Sequence, residues 1–252
     1  MKIGIMGAIV EEVAKIRSTM SVTNVESRGK REYVSGHLNG HDIVVVFSRW
    51  GKVAASSTAT TLIERFGVDL MIFIGVAGAI DDRLEIGDIV VADTLVQHDM
   101  DASAISGIKP YEVPLLGVQF FEISSDLASK ASQSAQDYIT RDLSSDVPRH
   151  VLQKFHIIHP TVVRGLIASG DQFITSNEVA QKLRASLPDV KCVEMEGAAV
   201  AQVAYEHDCP LVVIRAISDK ADHSATIDFP QFIEHIAPHF TCGIVFRLLD
   251  LL

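Results

Sequence analysis

The sequence predicts an α/β fold: a single domain over residues 1–252, with a central mixed twisted β-sheet flanked by helices. Three observations predict it. Short apolar runs recur along the chain, as strands covered on both faces require. Segments of helical periodicity alternate with them, the order expected of a largely parallel sheet. Asn39-Gly40 alone separates two of the runs, and both residue types tolerate positive φ, so a tight hairpin makes the sheet mixed.

Taken in order, "KIGIMGA" (2–8) is a buried strand and "EEVAKIRSTM" (11–20) a helix. "REYVSGHL" and "HDIVVVFS" are the hairpin strands, followed by a helix over 52–66 with small and apolar residues on one face. Strands are predicted at 69–80, 87–99, 161–171 and 209–219, with helices at 176–187 and 196–207. A last helix is predicted over roughly 229–250. The stretch from about 102 to 160 is less patterned and holds one predicted helix, 124–143. No internal repeat or low-complexity linker divides the chain.

Composition excludes several function classes. The net charge of −10 opposes binding to a phosphate backbone, and no Lys/Arg cluster offsets it. Three widely spaced cysteines, Cys192, Cys209 and Cys242, form no CxxC pair, so reduced thiols are expected rather than disulfides or a metal site. The N-terminal apolar run is cut off by Glu11 and Glu12, unlike a signal peptide. No stretch is long enough to span a bilayer. A cytoplasmic protein without nucleic-acid or membrane partners is expected.

Ligands of such folds gather beyond the carboxyl ends of the strands, and the chain is rich in polar groups and glycine there. Glu11 and Glu12 open a helix, where they complement the helix dipole or supply one base over the strand end; only one of them can point inward. "GVAGAI" (75–80) permits close backbone approach, but it is not a dinucleotide fingerprint. "HDMD" (98–101) is too sparse for a metal site and is read as structural. Glu194 and Glu196 precede a small-residue helix that reads as buried, so they are solvated and capping acids or functional ones. Capping explains Asp219 of "RAISD", but an arginine inside an apolar strand, Arg215, needs a carboxylate or an anionic ligand. Phe173 follows a polar turn and is a core ring or a stacking surface.

In order, "MKIGIMGAIVEEV", "GKVAAS", "GVAGAI", "GDIVVAD", "HDMDAS", "VRGLIASGDQFI", "VEMEGAAVAQVA" and "VVIRAISDKAD" resemble the bacterial 5′-methylthioadenosine/S-adenosylhomocysteine nucleosidases of the nucleoside phosphorylase/hydrolase superfamily. The resemblance spans nearly the whole chain. It implies hydrolysis of the N-ribosidic bond, releasing adenine and a thioribose. It implies Asp219 as the acid, Glu12 as the water-activating carboxylate, and Met195 and Glu196 along the ribose. Phe173 would stack on adenine, the backbone of Ile174 would read the base edge, and Phe229 would close over the nucleoside. Arg215 and Ser218 would orient the acid and its surroundings. A homodimer is implied as well.

Three residues depart from the family pattern. Val76 stands where serine is common, and Arg49-Trp50 replaces a smaller glycine–aliphatic pair, so Trp50 is expected to reshape the pocket for the 5′ substituent. The stretch at about 102–160 reads as extended relative to compact members. Two alternative activities are a phosphate-dependent nucleoside phosphorylase and a futalosine-type hydrolase. An acid at Glu12 would repel phosphate and favours water.

Overall fold

The computed structural model describes residues 1–222 and 224–252, with Ile227 as backbone only. The described strands are β1 (Lys2–Gly7), β2 (Ser21–Arg28), β3 (Arg31–Leu38), β4 (His41–Phe47), β5 (Leu70–Ala79), β6 (Ile89–Gln97), β7 (Phe120–Glu122), β8 (Val162–Ser169), β9 (Val190–Glu194) and β10 (Leu211–Asp219). The described helices are α1 (Val10–Thr19), α2 (Lys52–Phe66), α3 (Ser125–Asp137), α4 (Leu143–Asp146), α5 (Arg149–Lys154), α6 (Asn177–Ser186), α7 (Gly197–Glu206), α8 (Ala225–His235) and α9 (Ala237–Leu249). None of these helices is long and apolar enough to cross a membrane.

The described strands form one ten-stranded mixed sheet. β5 is its hub and is buried at every position. Its first half pairs in parallel with β1, its last two residues pair with antiparallel β9, and β10 runs parallel along its other edge. β10 also pairs with β6, β6 with β8, and β8 with β9. The strands β5, β10, β6, β8 and β9 therefore close on themselves. From β1 the sheet continues through parallel β4 into antiparallel β3 and β2. The predicted hairpin is present: Asn39 and Gly40 have φ of 46° and 80°, and Leu38 faces His41.

Alternation along the strands sorts the core into two faces. Ile72 and Ile74 of β5 and Val212 and Ile214 of β10 pack in one cluster with residues of α1, α3 and α9. Met71 and Phe73 of β5 and Val213 and Ile217 of β10 pack in the other, with residues of α2 and α7.

Three sequence-based expectations are corrected. β2 is an additional strand: its residues are almost all exposed, and an edge strand with one partner needs no apolar face. The helix predicted at 124–143 is α3 continued by a π-helical stretch, Tyr138–Asp142, and then α4. The helix predicted at 229–250 is two helices joined at Ile236, because Pro238 in the first turn of α9 has no N–H to donate to the preceding turn.

Candidate active site

The carboxyl ends of β1, β5, β9 and β10 surround one cavity of about 600 Å³, counting its open mouth, a size suited to a small organic ligand. Each predicted site residue except Arg215 lines it.

Glu12 enters from the first turn of α1. It is 2% exposed, whereas Glu11 beside it faces solvent. One carboxylate oxygen accepts from the N–H groups of Ala8 (2.5 Å) and Ile9 (3.1 Å), and the other from Val76 N–H at 3.1 Å. The approach depends on Gly75, where a Cβ would stand 2.7 Å from the carboxylate. Burial raises the pKa of Glu12 to about 7, against the opposing pull of Arg215 and the three backbone donors. Val76 thus contributes its backbone N–H as well as an apolar side chain.

Asp219 ends β10 at a bulge: Ile217 faces Ala77 and Asp219 faces Gly78, leaving Ser218 as the extra residue. Asp219 is 2% exposed and accepts from Ser218 Oγ (2.8 Å) and Ala221 N–H (2.9 Å). Burial raises its pKa, outweighing both donors, and the charges of Asp228 and Asp222 push the same way. A Cβ on Gly78 would meet its carboxylate at 2.8 Å. The acids Glu12 and Asp219 therefore lie beside positions of β5 separated by three residues, a rise of roughly 10 Å.

Glu196 precedes α7, is buried, and accepts from Gly51 N–H at 2.8 Å. Its pKa is raised by burial and then by the charge of Glu194. Arg49, with φ of 74°, and Gly51, with φ of 90°, turn the loop so that Trp50 reaches the mouth. Lys52 fastens this loop: its ammonium pairs with Asp99 at 2.6 Å and its N–H donates to Asp171 at 2.8 Å. Asp99 of "HDMD" thus has a structural partner, and His98 lies outside the cavity.

Three aromatic rings stand together at the mouth. Phe229 of α8 packs edge-on against Phe173 (5.2 Å between centroids) and Trp50 (6.1 Å). Phe173 is 45% exposed, so it is not a core ring. Ile174 and Met195 line the walls.

Arg215 is 1% exposed and its guanidinium lies 4.1 Å from the ring centroid of Phe73. Its partner is Glu194, with Nη2 to carboxylate at 2.8 Å. Burial disfavours its charge, but Glu194 outweighs that and raises its pKa. The sequence required a carboxylate or an anion here; the carboxylate is Glu194, and Arg215 does not reach Asp219 among the contacts described.

A sequence model of the phosphorylase superfamily matches residues 2–250. The 5′-methylthioadenosine/S-adenosylhomocysteine nucleosidase of Bacillus licheniformis is 35% identical over 249 residues, covering 99% of this chain and 98% of its own. That of a Staphylococcus aureus strain is 36% identical over 93% of each chain. The chain belongs to the 5′-methylthioadenosine/S-adenosylhomocysteine nucleosidase family of the phosphorylase superfamily. Solved nucleosidases share its architecture over their length. The Neisseria meningitidis enzyme in complex with methylthio-immucillin-A superposes with a TM-score of 0.86 at 30% identity, covering 100% of this chain and 99% of the other. A mutant Helicobacter pylori nucleosidase with 5′-methylthioadenosine in its active site gives 0.85 at 33% identity, with the same coverage. A futalosine hydrolase of Helicobacter pylori gives 0.82 at 34%, covering 100% and 98%.

Within this nucleosidase family fold, sequence reasoning weighed Glu194 and left it out of the site. Two residues' separation from Glu196 shows that the two acids share one side of a strand end. It does not show which of them meets Arg215.

Proposed function

We propose that the protein hydrolyses the N-ribosidic bond of 5′-methylthioadenosine and S-adenosylhomocysteine, releasing adenine and the corresponding thioribose. The observation that carries this reading is the pair of buried acids with raised pKa, Glu12 and Asp219, on one cavity that also offers an aromatic mouth.

Adenine is a poor leaving group as an anion and a good one when protonated at N7. Asp219, whose pKa burial pushes upward, supplies that proton. Phe173 offers its exposed ring to the base, the backbone of Ile174 reads the base edge, and Phe229 closes over the nucleoside. Positive charge develops on the ribose as the bond breaks; Glu196, beside Met195, accepts hydrogen bonds from the ribose hydroxyls, and although burial and Glu194 push its pKa up to about 8, the growing positive charge favours its carboxylate, which then stabilises that state. Glu12, with a pKa of about 7, is matched to removing a proton from water near neutral pH. An acid at the base and a carboxylate that activates water on the sugar's other face are the arrangement of inverting glycoside hydrolysis. Ser218 and Arg215 act around the acids rather than on the substrate. The chemistry needs no metal or organic cofactor.

Phosphorolysis fits the site less well. Among the described lining residues none is Lys, Arg or His, and Glu12 stands on the side that phosphate would occupy. The futalosine reading is not favoured, because the curated relatives named above are methylthioadenosine/adenosylhomocysteine nucleosidases. Product analysis tests the proposal. Purified protein with 5′-methylthioadenosine should give free adenine and reducing thioribose at equal rates with and without phosphate. A phosphate requirement with a sugar 1-phosphate product would refute hydrolysis.

Trp50 sets the preference for the 5′ group. Trp50→Ala is expected to raise KM for 5′-methylthioadenosine about 10-fold with kcat nearly unchanged, since a lost apolar contact removes uniform binding. The bulkier adenosylhomocysteine should suffer less. An unchanged ratio of kcat/KM for the two substrates would remove this role. The same family reading carries a cytoplasmic location, a role in methionine salvage and a homodimer; Ile105 and Leu115, exposed in the stretch after β6, are apolar surface that a second copy would cover.

A further inference from the structure

Glu194 makes more contacts than capping one helix requires. It is the last residue of β9, is 7% exposed and lines the cavity floor. One of its carboxylate oxygens accepts from Arg215 Nη2 (2.8 Å) and Nε (3.2 Å) and from the N–H of Glu196 (3.2 Å). Gly197 N–H reaches both oxygens, at 2.9 and 2.8 Å. The hydroxyl of Ser169 donates to the other oxygen and itself accepts from Ala198 N–H at 2.7 Å. Successive N–H groups at the start of α7, which no helix satisfies internally, are thus met by Glu194 and Ser169. A Cβ at Gly197 would stand within 3.2 Å of both oxygens, so glycine lets the helix approach this closely. The guanidinium of Arg215 is fixed from its other side as well, donating to the carbonyls of Phe73 (3.2 Å) and Ile214 (3.0 Å).

We infer that Glu194 is a positioning residue of this site: its carboxylate ties the guanidinium of β10 to the start of α7, and that tie sets the direction in which Glu196 faces the ribose. The role rests on the nucleosidase reading. Capping alone would account for the contacts to Glu196 and Gly197, but not for a buried cation held from a different strand.

The tie also sets the charge that the catalytic groups experience. The ionisable groups facing Glu196 are Glu194 from β9, Arg215 from β10 and Glu12 from α1; His98, just after β6, feels the charge of Glu194. Glu194 raises the pKa of Glu196, and Arg215 lowers those of Glu196 and Glu12. Removing the Glu194 carboxylate while keeping the arginine shifts Glu196 downward. Asp219 responds instead to Asp228 and Asp222.

Two variants of the full chain test this. Glu194→Gln is expected to lower kcat about 100-fold. Glu194→Asp keeps the charge but shortens its reach; it should lower kcat about 10-fold with the titration of Glu196 where the wild type has it. Wild-type kcat in Glu194→Asp, or a wild-type titration of Glu196 in folded Glu194→Gln, would overturn the role. The ¹³C carboxyl resonance of Glu196, followed without substrate, should titrate at lower pH in Glu194→Gln. That readout stands even if product analysis on the wild type rejects the nucleosidase reading.

Discussion

Replacing Asp219 by Asn should lower kcat for adenine release by roughly 10³-fold, the scale of a lost general acid, while an unreactive substrate analogue still binds. The reason lies in the protonation state. Burial pushes the pKa of Asp219 upward, toward the neutral acid that Asn matches in shape and charge. Its carbonyl can still accept from Ala221 N–H, and Ser218 Oγ can turn to accept from the new amide. The melting temperature should therefore stay within a few degrees of wild type. What Asn lacks is a proton acidic enough to reach N7 as the bond breaks. Steady-state release of adenine, with binding of the analogue measured by calorimetry, separates the two effects. Turnover within about tenfold of wild type would remove the acid role.

Glu12→Gln should lower kcat by about 10²- to 10⁴-fold and at the same time stabilise the folded protein above neutral pH. The raised pKa means that the folded state favours the protonated carboxyl. That contribution is fully present below the unfolded value of 4.5 and is lost as pH rises through about 7. Between pH 5.5 and 8.5 the wild type should lose about 2 kcal/mol relative to a glutamine variant that does not titrate. The variant should accordingly melt above wild type at pH 8.5, with the gap narrowing towards pH 5.5. A gap that does not change with pH would mean that Glu12 has an ordinary pKa, and its assignment as a base tuned to neutral pH would fall with it. The wild-type rate should fall at acid pH through about 7 as the base becomes protonated.

The site and the core place opposite demands on the same strands. β5 is buried throughout, yet Gly75 and Gly78 interrupt its side chains where two carboxylates must lie against it. Filling either position with a methyl group would improve strand propensity and displace an acid. Three buried carboxylates, Glu12, Glu194 and Glu196, share one buried guanidinium, Arg215. Burial pushes Glu12 up to about 7 and Glu196 up to about 8, and a sugar that becomes positively charged as its bond to the base breaks favours their charged forms.

Local chemistry was sufficient for much of this protein. Continuous apolar runs marked β1, β5 and β10, because a strand covered on both faces cannot alternate. Asn39-Gly40 marked the hairpin, because the turn requires positive φ at both positions. The ordered motifs, from Glu12 to Asp219, carried the family and the candidate residues. Other features had no local signal. β2 is polar because an edge needs no buried face, and the closure of β5 onto β10 and β9 joins segments distant in sequence. Arg215 announced only that it needed a negative partner; the crossing of β10 with the start of α7 selected Glu194 over Glu196 and Asp219. The sequence by itself determined the fold class, the family and which acids are available. Tertiary structure alone decided which acids are buried, how far their pKa values rise and which of them faces the cation, because desolvation and charge pairing depend on neighbours that the chain brings together only by folding.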